Sequence, residues 1–136
     1  MKDDKIFTKY DCERILTLLN NYKIKNHTEN EYIENLKQQI LKSKPVDSKK
    51  IKENIVTINS ILILKNLGTG SRKEYHLTFP DESNAKSEKL SILSMIGSQV
   101  LGSKIGSVVK ENSKSEKYYI IEEITYQPEA AGDFNL

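Results

Sequence analysis

The chain has 136 residues, 37% of them hydrophobic and 29% charged, a balance that suits one globular domain with or without an appendage. Its formal charge is +2, with 12 Lys+Arg against 9 Asp+Glu in residues 1–54 and 9 against 10 in residues 55–136; this is too weak a surplus for a strong grip on nucleic acid or an anionic membrane. No apolar run nears the roughly 18 residues of a membrane span, MKDDKIFTKYD lacks a signal-peptide core, and the single Cys12 fits a reducing compartment, so a cytoplasmic, soluble protein is expected.

The first elements read as helices. TKYDCERILTLLNNY places Cys12, Ile15, Leu19 and Tyr22 on one face, with Thr8 as its cap. KIKNH then breaks the pattern. TENEYIENLKQQILKS opens on Thr28 and Glu31, a capping-box spacing, and repeats Ile33, Leu36 and Ile40 at helical intervals. Two helices joined by so short a break fold as an antiparallel hairpin, which Pro45 closes.

From Asn54 the period changes to two. NIVTINSILILKNL and RKEYHLTF read as strands around a turn in LGTGS, and Pro80 ends the second. A polar loop, DESNAKSEK, precedes a short strand, LSIL. SMIGSQVLG carries Ser94 as an N-cap and Gly102 as a stop. KIGSVV turns at Gly106 into another strand, and a hairpin through ENSKS leads into EKYYIIEEITY, the longest. The expected order is β-β-β-α-β-β, an antiparallel sheet packing one helix, for an α+β fold overall. The domain limits are 1–46 for the hairpin, 47–53 for a linker and 54–136 for the sheet domain.

Chemistry-bearing patterns are absent. His27 and His76 stand in no metal spacing, and both read as surface or edge residues. GTGS lacks the rest of a phosphate loop and sits in a hairpin. Glu122 and Glu123 point to opposite faces of a strand. Glu29, Glu31 and Glu34 suit the first turns of a helix better than a cation site. Cys12 has no histidine near it in sequence and reads as a small buried group. No catalytic, cofactor-binding or metal-binding residue is assigned.

The ending ITYQPEAAGDFNL carries the most specific signal. YQPEAAGD resembles the C-terminus of the Rnk family, regulators of nucleoside diphosphate kinase related to the Gre transcript-elongation factors. DCERILTLLNNY is similar to that family's opening helix, ENIVTINSILILKNL to its V-T-M-N-S motif, and LSILSMIGSQVLGSKIGSVV to its S-V-L-S-P-V-G-x-A-L-L-G-L-x-V-G-D segment. Met95 replaces the family's Pro, and Ser107 its Asp.

The resemblance implies an FKBP-like C-terminal domain of the Gre kind behind a short helical, coiled-coil-like hairpin. It also implies a non-catalytic transcription regulator that binds bacterial RNA polymerase at the secondary-channel rim and competes with Gre-type factors. The implied contact residues are Leu93, Ser94, Met95, Ile96 and Gly97. Direct nucleic-acid binding, a membrane and a cofactor are not expected, and the free chain is expected to be a monomer. Two enzymatic readings stand beside this one: a Gre-type transcript-cleavage factor and an FKBP-like prolyl isomerase. A helix of about 14 residues reaches only about 21 Å, and its tip mixes Lys23 and Lys25 with carboxylates, which disfavours delivery of a metal ion. An aromatic-lined isomerase pocket is disfavoured in turn by the absence of Trp and the presence of only three Phe. Beyond Pro128, which must end the last strand, the tail is expected to fold back with Phe134 packed on the body of the protein.

Overall fold

The computed structural model describes residues 5–80, 88–111 and 114–136. Helix α1 (Lys9–Asn21) and helix α2 (His27–Lys42) form the hairpin. The main chain closes its base, where Lys9 N–H donates to Val46 O (2.9 Å) and Val46 N–H to Phe7 O (3.0 Å). Thr8 caps α1 as expected, accepting from Asp11 N–H. The cap of α2 is Asn26 rather than Thr28: its side chain accepts from Glu29 N–H, so His27 opens the helix instead of lying in the break. Both residues are good caps, and the earlier one wins because it adds two residues of helix.

The second half follows the expected element order. Strands β1 (Ile61–Asn66), β2 (Arg72–Thr78) and β3 (Lys89–Ser91) precede helix α3 (Met95–Val100), and β4 (Val108–Lys110) and β5 (Tyr118–Tyr126) follow it. They form one five-stranded sheet in the order β3-β2-β1-β5-β4. The fold is α+β, with one correction to the antiparallel sheet: β3 runs parallel to β2, pairing His76 with Lys89 and Thr78 with Ser91. A period of two is common to both kinds of ladder, so the pattern alone could not separate them. Of the polar loop expected at 81–89, residues 81–87 lie outside the described residues, as do 112–113 of the last hairpin.

A second correction falls at 54–60, where no strand of the main sheet forms. Instead Thr57 N–H donates to Ser60 Oγ (2.9 Å), Ser60 N–H to Thr57 O (3.0 Å), and Asn59 takes φ 71°. Hydroxyl side chains compete with ladder hydrogen bonds in this way, and Asn tolerates the left-handed region. The turn still buries Val56 and Ile58.

One apolar cluster joins both halves. Ile15, Ile33, Leu36 and Ile40 from the hairpin share it with Leu62, Leu64, Leu77 and Ile121 from the sheet. Helix α3 touches β3, β4 and α2, so it lies between the two edge strands and beneath the hairpin. Beyond β5 a single turn, α4 (Pro128–Ala131), ends in Gly132 at φ 81°. Asp133 N–H reaches back to Pro128 O (2.8 Å), closing the turn.

Candidate functional site

The α3 segment is built from the chain just before it. Ser94 Oγ accepts from Gly97 N–H (2.9 Å) and donates to Ser91 O (2.7 Å), pinning the helix start to the end of β3. A Cβ on Gly97 would lie 1.8 Å from Ser91 O, so only glycine permits this approach. The five residues that the resemblance implied for docking therefore divide. Leu93 and Gly97 are buried and form the platform, while Ser94, Met95 and Ile96 are half-buried and reach the surface together. Ile96 also packs on the core cluster. Met95, half-buried, leaves part of a flexible apolar side chain at the surface beside α3.

At the far end of the hairpin, Lys23 and Lys25 are exposed and Ile24 is 42% exposed. Glu29 turns inward to the tip, with Oε1 accepting from Lys25 N–H (2.8 Å) and Oε2 from Tyr22 OH (3.0 Å). Glu31 lies 3.0 Å from His27 Nε2. Both carboxylates are thus engaged within the tip itself. Among the described residues no three Cys, His, Asp or Glu side chains come together as a metal site.

A buried polar hub ties the tail to the hairpin base, and the sequence reading missed it. Asp11, 1% exposed, accepts from Ile58 N–H at Oδ2 (3.1 Å) and from Arg14 Nη2 at Oδ1 (2.7 Å). Arg14 stacks on Tyr10 and Phe79, its carbon Cζ 3.9 and 5.1 Å from the ring centres, and also donates to Leu136 O (2.9 Å). From the tail, Glu129 Oε1 accepts from Thr57 Oγ1 (2.7 Å). Gln127 Nε2 donates to Lys52 O and Ile55 O. Burial raises the pKa of both Asp11 and Glu129, and the charge of Asp11 pushes Glu129 further the same way. The tail does fold back, but polar groups hold it: Phe134 stays 38% exposed, with Lys49 Nζ 5.9 Å from its ring centre. The carboxylate of a sequence-distant Glu gives no local signal of burial, which is why this hub could not be read from spacing.

Cys12 is buried, and burial raises its thiol pKa, the opposite of what a nucleophile needs. No helix of the described residues is long and apolar enough to cross a membrane.

With this geometry in place, the comparisons define the class of protein. Residues 51–126 match the family described as "Transcription elongation factor, GreA/GreB, C-term". The chain belongs to that family. It is 31% identical over 91 residues to the transcription elongation factor GreA of Thermodesulfovibrio yellowstonii, a match covering 65% of this chain and 58% of that one. It is also 31% identical over 85 residues to the regulator of nucleoside diphosphate kinase of Escherichia coli K12, covering 61% and 62%. The chain thus aligns with less than two thirds of the length of either relative. A solved GreA/GreB elongation factor from Nitrosomonas europaea shares the fold with a TM-score of 0.77 at 24% identity, covering 92% of this chain and all of that one. Residues 51–126 are thus of the Gre C-terminal kind, and the chain is similar to proteins named both GreA and regulator of nucleoside diphosphate kinase.

Proposed function

We propose that the chain regulates transcription by binding bacterial RNA polymerase at the secondary-channel rim, without catalysing transcript cleavage, and that it competes there with Gre-type factors. Membership of the Gre family supports the choice of partner. The observation that carries the non-catalytic part is the hairpin tip. Helix α2 has 16 residues, hence about 24 Å of reach. At its start, Glu29 spends both oxygens on Lys25 N–H and Tyr22 OH rather than facing outward. Such a tip occupies space at a channel mouth but offers no free carboxylate pair for a metal ion. On this reading residues 1–46 form the obstructing arm, 47–53 the link and 54–136 the docking body.

Docking is assigned to Ser94, Met95 and Ile96, with Leu93 and Gly97 supporting them from beneath. Binding of immobilised RNA polymerase to the protein and to Met95→Asp tests this assignment. An acid at the first position of a helix is tolerated by the fold, so the variant should melt within about 1 kcal/mol of the parent. It is expected to bind at least ten-fold more weakly, because docking would strip a carboxylate of water. Equal binding would remove α3 from the interface.

A further inference from the structure

Ahead of α1, the side chain of Lys5 crosses to the far end of α3. Its Nζ donates to Ser98 O (2.9 Å) and Gln99 O (2.6 Å). Helix α3 has no basic residue in its own last turn, so Lys5 serves the carbonyls that the helix end leaves open. These carbonyls are held in place. The Gln99 side chain donates to Lys110 O (2.7 Å) and accepts from Lys110 N–H (3.0 Å), tying α3 to β4, and Ser103 Oγ donates to Gln99 O (2.7 Å).

Lys5 is half-buried and lines a groove of about 920 Å³ between α2, α3 and β4. No Asp or Glu of the described residues lines that groove or pairs with Lys5; the other titratable groups along it are Tyr32 on α2 and Lys110 on β4. A tetrahedral nitrogen has four directions. One is the bond to Cε and two point at the carbonyls, so the fourth has no partner among the described residues. It holds either the third ammonium proton or a lone pair. Burial without an acid favours the lone pair, and the pKa of Lys5 is lowered to about 8. Both hydrogen bonds survive that deprotonation, because a neutral amine still has two N–H groups to donate.

We propose that Lys5 is an acyl-acceptor site, modified on Nζ by acyl phosphates that enter the groove between α2, α3 and β4. The Nζ lone pair attacks the acyl carbon, a C–N bond forms, the C–O bond to phosphate breaks, and phosphate leaves with that electron pair while the amine proton passes to water. A groove wall without carboxylates does not repel such an anion. The amide product keeps one N–H, so only one of the two carbonyls retains its donor, and the hold of the N-terminal segment on α3 weakens. The inference stands apart from the polymerase reading.

The test uses the full chain and acetyl phosphate at a series of pH values, with remaining amines then labelled by deuterated acetic anhydride. Peptide mass spectrometry reads the rate at each lysine, fragmentation separating Lys5 from Lys2; the exposed Lys23 and Lys25 are the references. Near pH 7.5 about a quarter of Lys5 is neutral, against about one in a thousand for a solvated lysine. A less basic nucleophile is also a weaker one, so the expected advantage over the references is at least five-fold rather than the full ratio. The Lys5 rate should level off above about pH 8 while the reference rates keep rising, and in concentrated guanidinium chloride the advantage should vanish. A Lys5 rate no higher than the references, or one still rising with them above about pH 9, would overturn the proposal and leave Lys5 as a charged cap for α3. So would an advantage that survives unfolding, which would assign the reactivity to the local sequence instead of the groove.

Discussion

Gly97 is where α3 and the end of β3 approach most closely, and the contact is with backbone that cannot yield. Its replacement by alanine is expected to destabilise the fold by about 2–3 kcal/mol, the range for forcing atoms into a packed site. Gly70 is the control, for it has φ +80° with nothing within 4 Å of a Cβ, so Gly70→Ala pays only the left-handed backbone cost of about 1–2 kcal/mol. Urea titrations of both variants check the order, and a larger loss at Gly70 would contradict it. A pH effect belongs at the same scale. Burial raises the pKa of Asp11 and of Glu129 in the fold. A carboxyl raised on folding contributes stability that is fully present below the unfolded value of about 4 and is lost as pH climbs through the folded value. The melting temperature of the parent should therefore fall relative to that of Asp11→Asn between pH 4 and pH 7. A gap moving the other way would mean that the Arg14 contact outweighs desolvation.

At the scale of elements, the tail is a latch made of polar contacts. Deleting residues 129–136 removes the Thr57–Glu129 hydrogen bond and the reach of Arg14 to Leu136 O. A loss of about 2 kcal/mol is expected from such charge-assisted contacts, seen as a melting point lower by several degrees. An unchanged melting curve would show that the tail holds nothing. Elements were legible in the sequence where side-chain spacing sets them. The Ile33, Leu36 and Ile40 stripe marks α2, and Ser94 with Gly102 brackets α3. They were illegible where one polar group chooses between partners. Asn26 rather than Thr28 caps α2, and Thr57 and Ser60 turn the chain where a run of Ile and Val suggested a strand.

For the whole molecule, the element order and the α+β class followed from two periods, 3.6 and then 2. The parallel pairing of β3, the Gln99 amide beside β4 and the Asp11–Glu129 hub did not follow, because each joins residues far apart in sequence. Of the five residues proposed for docking from family likeness, three reach the surface and two lie buried beneath them, a division that burial alone decides. The central claim is that a member of the Gre family with a tip of engaged carboxylates occupies the polymerase without cutting RNA. It is tested most directly by adding the protein to backtracked elongation complexes that contain end-labelled RNA, magnesium and a fixed amount of a Gre cleavage factor. The account predicts no RNA shortening by the protein alone, and suppression of the cleavage factor's activity as the protein concentration rises. Metal-dependent shortening by the protein alone, or undiminished cleavage at saturating protein, would contradict it.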